Sequence, residues 1–199
     1  MRDRCDPAAA PPHDRFGARN TKMLHCSESQ LLLDVMNFSE QLRTERLSLH
    51  PLRKRDLWFF CILIGDKRVR RYLGGPVVWS QRFPRFRQYL TAPDFVGIWV
   101  ASLAERNQPI GLVELGPHQD GKDYEISYQF SPTFWGKGFA NEAVQAVIKH
   151  ALNETDLERI IAETQSANSA SCRLLKSQGM KEIERVERFG AEQIIFASS

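Results

Sequence analysis

The sequence predicts an α/β fold in which one main domain combines a mixed sheet with amphipathic helices. Three observations predict it. Strand-like segments come first and are followed by the order β-α-β-α-β-β, which is typical of a mixed sheet. A long helix with apolar residues at i, i+4, i+7, i+8 and i+11 separates two strands, and such a crossover joins parallel strands. The length of 199 residues suits little more than one domain.

The first half of the chain predicts two helices and three strands. Residues 46–50 alternate as a strand that Pro51 ends, and Asp56 opens an apolar helix that Gly65 terminates. Residues 79–90 are helical in pattern. Strands at 95–105 and 110–115 flank the turn residues 106–109 and predict a hairpin.

The second half of the chain contains the long helix that connects two parallel strands. In the strand 124–130, one face carries Tyr124, Ile126, Tyr128 and Phe130, and the other carries Glu125, Ser127 and Gln129. The remaining predicted elements are the helix from Lys137 to about Leu152, a strand at 159–163, a helix at 169–177 that Gly179 ends, and strands at 180–188 and 192–197.

The chain divides into three segments. Residues 1–22 are rich in Ala, Pro and Arg and are interpreted as a disordered leader, or as upstream sequence translated ahead of a later start such as Met23. Residues 23–41 form a short extension with a modest helical pattern, and residues 42–199 form the single domain. No apolar run has 18 residues and the N-terminus does not fit a signal peptide, so we expect a cytoplasmic protein without a membrane span.

Charge and cysteine content narrow the function classes. The net charge is +3, but residues 43–106 carry 13 basic and 5 acidic residues, a balance of +8. This balance fits either an anionic partner or solvated helix faces, and nucleic acid is disfavoured because no binding motif accompanies it. The four cysteines, Cys5, Cys26, Cys61 and Cys172, lie too far apart for a metal clamp or a disulfide framework, so no metal is expected.

The most informative segment is the glycine turn, residues 134–141 (FWGKGFAN), between a strand and the long helix. Gly136 and Gly138 leave room for backbone N–H groups to close on an anion at the helix N-terminus. An ordinary strand-to-helix turn is the alternative. A nucleoside-triphosphate loop is excluded because Gly138 follows Lys137 where Ser or Thr is required. A dinucleotide fold would need Gly or Ala at Asn141, and too little chain follows Glu163 for its remaining units.

Four stretches in this order carry a family resemblance: residues 42–49 (LRTERLSL), 124–128 (YEISY), 135–143 (WGKGFANEA) and 168–175 (NSASCRLL). Together they resemble the GNAT superfamily of acetyl-CoA-dependent N-acetyltransferases, most of all the branch that acetylates ribosomal-protein N-termini. The resemblance covers residues 42–197. It implies a GNAT fold with a twisted, mostly antiparallel sheet of about six to seven strands and helices on both faces.

The resemblance also implies a coenzyme site, with acetyl-CoA as the co-substrate. The pyrophosphate would lie on the amides of residues 136–140, and the pantetheine arm along the end of the strand at Gln129 and Phe130. Asn168 would hydrogen-bond that arm, although it is equally suited to cap the following helix, and both roles can hold together. The implied coenzyme-binding residues are Gln129, Phe130, Trp135, Gly136, Lys137, Gly138, Phe139, Ala140, Asn141 and Asn168.

The sequence departs from the family pattern at three positions. Ser127 stands where Gly is usual, Ser177 where Lys is usual, and Met180 where Phe is usual. Leu175 stands where related branches have a Tyr that can protonate the departing thiolate, and Ser171 is its nearest substitute. A thiol of pKa about 8.5 is itself a good leaving group.

Amide formation needs a neutral amine, so a residue must accept a proton. Glu125 on the polar strand face is the first candidate, with an exposed carboxylate as the alternative, and Glu114 is the second. His118 is a weaker candidate because a lone loop histidine is usually exposed. Glu142, in the first turn of the long helix, is interpreted as structural. Cys172 is interpreted as a buried helix residue, so no acyl-enzyme is expected.

The predicted function is direct transfer of an acetyl group from acetyl-CoA to a primary amine, favouring a protein or peptide N-terminus. One alternative is a small-molecule amine, such as an antibiotic or a polyamine. Another is a GNAT-fold module that binds acyl-CoA without turnover. The expected state is a monomer or a homodimer.

Overall fold

In the computed structural model, the structure describes residues 38, 40–93 and 96–198. The expectations for residues 1–22, and for a helical pattern before residue 38, lie outside the described residues. Within the described ranges, no helix has both the length and the apolar character that a membrane crossing needs.

The described chain forms a single mixed sheet. Its eight strands are β1 (Leu42–Arg43), β2 (Leu47–Pro51), β3 (Gly97–Leu103), β4 (Gln108–Pro117), β5 (Tyr124–Phe130), β6 (Ile160–Gln165), β7 (Lys181–Arg188) and β8 (Ala191–Ala197). Their order is β1-β2-β3-β4-β5-β6-β8-β7. The pair β5 and β6 is parallel and the other pairs are antiparallel. The mixed, mostly antiparallel sheet is therefore confirmed, with the short β1 raising the strand count above the expected six to seven.

Within the residues that the structure describes, four α-helices accompany the sheet: α1 (Leu57–Gly65), α2 (Trp79–Leu90), α3 (Phe139–Glu154) and α4 (Ser169–Ser177). Short 3-10 turns cover Lys54–Asp56 and Pro132–Phe134. The bounds predicted for α2, β5 and α4 are confirmed. The helix predicted from Lys137 begins at Phe139, because Gly138 takes a left-handed backbone conformation that cannot belong to a right-handed helix.

Helices cover both faces of the sheet, as expected. On one face, Ile126 and Phe130 of β5 pack with Val144 and Val147 of α3 in a buried core. On the other face, Val100 and Leu112 of the central strands pack with aromatic residues of α1 and α2 in a second core. Because β5 residues alternate, its polar positions point toward the α1–α2 face. They extend beyond the second core, where polar groups line a cleft.

Candidate functional site

The glycine turn connects β5 to α3 and needs glycine at two positions. Gly136 and Gly138 have φ values of 72° and 80°, in the left-handed region that L side chains rarely adopt. A Cβ on Gly136 would meet nothing within 4 Å, so the backbone conformation, and not crowding, favours glycine there. The turn ends at the N-terminus of α3, where the first N–H groups lack partners within the helix. This arrangement suits an anion.

A clamp between β2 and α3 holds the glycine turn in place. Glu142, in the first turn of α3, accepts hydrogen bonds from the backbone N–H of Arg46 at 2.9 Å and from its Nε at 2.7 Å. Arg46 Nη1 also donates to the carbonyl of Lys137 at 3.0 Å, and the guanidinium lies over the ring of Phe139. Partial burial of Glu142 opposes ionisation, but hydrogen bonds from Thr44 and Arg46 outweigh it and lower the pKa of the carboxyl. These contacts agree with the structural role expected of Glu142.

Trp135 joins the glycine turn to the end of β5. Its indole Nε1 donates to the carbonyl oxygen of Phe130 at 2.7 Å, while about half of the side chain stays exposed.

The side chain of Asn141 contacts α4. Its Oδ1 accepts from Ser177 Oγ at 2.7 Å and from Gln178 Nε2 at 2.6 Å, so the side chain ties α3 to α4. Any coenzyme contact of Asn141 would therefore have to share that side chain or use its backbone.

The parallel strands β5 and β6 separate soon after they meet. Their registered pairs are Tyr124 with Ile160 and Glu125 with Ile161, and within the described sheet residues 126–130 of β5 have no partner on β6. We name the opening the coenzyme-side cleft; it measures about 490 Å³, including space open to solvent. Its lining includes Ser127, Tyr128, Asn168, Ser171 and Leu175. An extended chain could lie here along β5.

Ser171 and Tyr128 meet at the wall of the coenzyme-side cleft. The two hydroxyl oxygens are 2.8 Å apart, which is a short hydrogen bond between β5 and α4. Burial raises the pKa of Tyr128 to about 12, so its hydroxyl stays protonated near neutral pH. Asn168 caps α4, since its Oδ1 accepts from the Ser171 N–H at 3.3 Å. Leu175 is fully buried in the core, so the position of the missing tyrosine is used for packing.

A second cleft opens on the α1–α2 face of the sheet, and we name it the acceptor-side cleft. It measures about 630 Å³, including space open to solvent, and Glu114 belongs to its lining. Glu114 is 6% exposed, and its Oε2 accepts a hydrogen bond from Tyr89 at 3.0 Å. Burial and the Glu114 charge raise the pKa of Tyr89 well above its usual value. Glu125 is not among the residues that line either cleft.

The two clefts adjoin on β5. Both are lined by Tyr72 and Leu73 from the segment after α1, and by Ser127 and Tyr128 of β5. The residue pair 127–128 thus lies between the opening of the β5–β6 pair and the polar face beneath α2. Sequence reasoning selected β5 for its polar face, but it missed Tyr128, whose alternation with apolar neighbours indicates only core packing.

His118 differs from its expectation. The loop histidine was expected to be exposed, but it is 3% exposed. Its Nε2 lies 3.0 Å from Glu163 Oε2 and its Nδ1 lies 2.9 Å from Asp120 Oδ1. The hydrogen bond with Glu163 raises the pKa of His118 against the effect of burial. Both ring nitrogens face carboxylates and His118 lines neither cleft, so it is not placed to take a proton from an amine there.

Cys172 is half-buried on α4, not fully buried as expected, and packs against the main core. Burial raises the pKa of its thiol, which disfavours the thiolate that a nucleophile needs. Among the described residues, no group of three or more metal-ligating side chains is placed to hold an ion.

Comparison with known proteins places the chain in a family. Residues 46–181 match the model of the acetyltransferase (GNAT) domain. The chain therefore belongs to the GNAT family of acetyltransferases.

Particular relatives agree. The chain is 43% identical over 140 residues to the uncharacterized N-acetyltransferase YnaD of Bacillus subtilis (strain 168), which covers 70% of this chain and 82% of the relative. Its fold is similar to that of a GNAT acetyltransferase from Bacillus anthracis, with a TM-score of 0.72 and 23% identity. The match covers 80% of this chain and 98% of the other chain. It is also similar to the RimL ribosomal L7/L12 alpha-N-protein acetyltransferase in complex with coenzyme A, with a TM-score of 0.69 and 16% identity. That match covers 80% of this chain and 97% of the other chain.

Proposed function

We propose that this acetyltransferase takes its acetyl group from acetyl-CoA and transfers it directly to the N-terminal amine of a protein or peptide. One observation carries the proposal: the coenzyme-side and acceptor-side clefts adjoin at Ser127 and Tyr128 on β5. A donor thioester that enters from one side and an amine that enters from the other would meet there. Such positioning of two reactants supplies much of the rate of a direct transfer.

The coenzyme would be held by three parts of the chain. The backbone N–H groups from Gly136 to Ala140 would bind its pyrophosphate, because Gly136 and Gly138 turn the backbone at the positive end of α3. The edge of β5 that has no partner on β6, ending at Gln129 and Phe130, would bind the pantetheine arm as an added strand does, although the Phe130 carbonyl already accepts from Trp135 Nε1. Asn168 would contact that arm while it caps α4.

The amine must lose a proton as the new C–N bond forms. We assign proton acceptance to Glu114, because its buried carboxylate lines the acceptor-side cleft and lies opposite Ser127 in the sheet. Glu125, the first candidate from the sequence, stays a prediction. It lines neither cleft, and its charge adds to the raised pKa of His118 only after the larger effect of the hydrogen bond with Glu163.

The thioester C–S bond breaks in the same reaction, and the departing thiolate gains a proton. Ser171 is the proposed donor, with Tyr128 as its positioning residue; Ser171 regains its proton from solvent as it passes one to the sulfur, and Glu114 releases the amine proton to solvent, so the proton count balances. When the Tyr128 hydroxyl donates to Ser171 Oγ, the Ser171 proton is free to point into the coenzyme-side cleft. The high pKa of Tyr128 keeps its hydroxyl protonated, so it is able to donate in this bond.

The acceptor is proposed from the family resemblance and from the activity of a structural neighbour, the RimL alpha-N-protein acetyltransferase. The test is incubation of the protein with acetyl-CoA and a short peptide, followed by mass spectrometry and by release of free thiol. We expect the peptide to gain one acetyl group at its N-terminus and an N-terminally blocked peptide to gain none. Acetylation of spermidine or of an aminoglycoside, with no peptide product, would replace the proposed acceptor. Binding of acetyl-CoA without any product would favour a non-catalytic module.

A further inference from the structure

The outer faces of α1 and α2 form one exposed apolar surface, which we name the α1–α2 patch. It consists of five side chains that are each more than half exposed: Trp58, Ile62, Val78, Trp79 and Phe83. Trp58 and Ile62 lie one turn apart on α1, and Trp79 and Phe83 lie one turn apart on α2. The rings of Trp58 and Trp79 meet edge to face, with centroids 6.3 Å apart, so the patch is continuous across both helices. A contiguous apolar surface of this kind is typical of an interaction site.

The sequence of α1 explains why part of this surface is apolar. All nine residues of the helix are non-polar (LWFFCILIG), and a helix that is apolar on every side is usually buried on every side. Here one side packs into the second core through Phe60, Leu63 and Ile64. The side that carries Trp58 and Ile62 is left in contact with water, which is unfavourable until another apolar surface covers it.

The segment that contains both helices is strongly basic. Residues 53–90 include ten basic and two acidic residues. The two acids do little to offset this charge at the surface, because Asp56 is buried and Asp66 is paired with Arg68 at 2.7 Å. The apolar patch therefore lies within a positively charged part of the molecule.

Three arginines flank the α1–α2 patch. The guanidinium of Arg82 lies over the ring of Trp79, 5.1 Å from its centroid. Arg55 is exposed just before α1, and Arg87 is exposed in the last turn of α2. Exposed tryptophans with arginines beside them are typical of surfaces that bind at the boundary between water and lipid, where the ring or stem contacts the apolar layer and the charge stays at its polar edge.

From this arrangement we infer that the α1–α2 patch docks on a lipid bilayer that carries anionic headgroups. The tryptophans and Ile62 enter the headgroup layer, and the arginines contact the lipid phosphates. A second copy of this chain fits less well, because two such patches would bring their arginines together. A nucleic acid fits less well because the aliphatic side chains of Ile62 and Val78 offer no flat ring on which a base can stack.

The α1–α2 patch is separate from the two clefts. None of its five side chains lines the coenzyme-side cleft or the acceptor-side cleft. The inference is therefore independent of the proposed function. Variants of the patch that lose lipid binding are expected to bind acetyl-CoA as the wild type does, and this affinity also reports that they are folded.

Cosedimentation with lipid vesicles tests the inference. One set of vesicles contains phosphatidylcholine alone, and the other contains phosphatidylcholine with about 30% phosphatidylglycerol, which is anionic. We expect the wild type to bind the anionic vesicles at least about tenfold more tightly than the neutral ones, and added salt to weaken that binding by screening the charges. Equal binding to both sets, or no binding to the anionic vesicles, would overturn the inference.

A pair of tryptophan substitutions links lipid binding to the apolar part of the patch. The double variant Trp58→Ser with Trp79→Ser should bind anionic vesicles about 100-fold more weakly, at about tenfold for each large apolar side chain. Ile183→Ser, which removes a half-exposed apolar side chain from β7, is the matched control and should bind as the wild type does. Unchanged binding in the double variant would contradict the inference.

A pair of arginine substitutions tests the charge without touching the core. The double variant Arg55→Gln with Arg87→Gln should bind about 25-fold more weakly, at about fivefold for each charge near the lipid surface. Arg106→Gln removes an exposed charge from the turn between β3 and β4 and should have little effect. If Arg106→Gln weakens binding as much as each substitution in the pair, the general charge of the protein, and not the patch, attracts the lipid.

Light scattering without vesicles separates lipid from a second copy of the chain. We expect the wild type and the tryptophan double variant to have the same molar mass in solution. A dimeric wild type whose double variant is monomeric would assign the patch to a contact between copies, and the lipid inference would fail.

Discussion

The proposed coenzyme side and the proposed acceptor side of the molecule are built in different ways. On the coenzyme side, the glycine turn is a continuous stretch of chain, and its main requirement is a backbone conformation at Gly136 and Gly138. On the acceptor side, the cleft is assembled from polar side chains that lie far apart in the sequence, such as Tyr89 and Glu114. Many proteins that use the same acetyl donor can share a local backbone feature. A site assembled from distant side chains can instead differ from protein to protein, according to the amine that it accepts. For this reason the acetyl donor is easier to infer from the sequence than the acceptor amine.

The largest expected effect comes from the acceptor side, with Glu114→Gln. If Glu114 accepts the amine proton, kcat/KM should fall by about 100-fold or more while the affinity for acetyl-CoA stays unchanged. The measurement is steady-state kinetics of thiol release together with calorimetric titration of acetyl-CoA. Glu125→Gln is the matched control on the neighbouring strand, and we expect a much smaller loss. A larger loss in Glu125→Gln would return the proton acceptor to the sequence-based candidate.

A smaller effect is expected where the two sides meet, with Ser171→Ala. Loss of the proposed proton donor should lower kcat by about tenfold, since a thiol leaves readily even without help. Tyr128→Phe keeps the ring in the core but removes the hydroxyl that contacts Ser171, so it should lower kcat in the same direction.

The two changes can be tested for their coupling. If Tyr128 acts through Ser171, the double variant should lose little more than Ser171→Ala alone. Effects on kcat that multiply in the double variant would show that the two hydroxyls act independently.

The two sides also differ in how far they could be predicted. The glycines, the strand-to-helix turn and the two faces of β5 follow from local pattern, so the sequence located them and the structure places them as expected. Tyr128 and Ser171 are 43 positions apart, and the pattern of β5 predicts only that Tyr128 packs inward. His118 and Glu163 are 45 positions apart, so a loop position alone could not predict the burial of His118. Contacts between distant elements depend on the tertiary fold, which local periodicity does not determine.

The clamp beneath the glycine turn gives the third prediction. Glu142→Ala should lower the free energy of unfolding by about 1 kcal/mol near pH 7, a modest value because Arg46 is partly exposed. The pKa of Glu142 is lowered in the folded protein, so its contribution is present above the unfolded value and is lost as the pH falls. Denaturant unfolding at pH 7 and at about pH 3 measures this difference.

A carboxylate at the other end of the same helix provides the control for the clamp. Glu154→Ala removes an exposed side chain of α3 and should change stability little at either pH. An equal loss in both variants would mean that Glu142 acts only through the general charge of the helix.

The smallest effect concerns the far end of the sheet. The pKa of His118 is raised in the folded protein, so its stabilising contribution is complete below the unfolded value near 6.5 and is lost as the pH rises through the folded value. The Tm of the wild type should therefore decline as the pH rises above about 6.5, and His118→Asn should reduce that slope. Thermal unfolding across this range tests it, and an unchanged slope in the variant would assign the pH dependence to other groups.

The central claim is that acetyl-CoA binds on the glycine turn, and calorimetric titration tests it most directly. The wild type, Gly138→Asp and Gly121→Asp are each titrated with acetyl-CoA. Both glycines have a positive φ, but Gly121 lies in an exposed turn between β4 and β5, so it controls for backbone strain. We expect the wild type and Gly121→Asp to bind with similar affinity and Gly138→Asp to lose about 100-fold or more, because its carboxylate would repel the pyrophosphate. Unchanged binding in Gly138→Asp would contradict the account, and the turn would then serve only to connect β5 with α3.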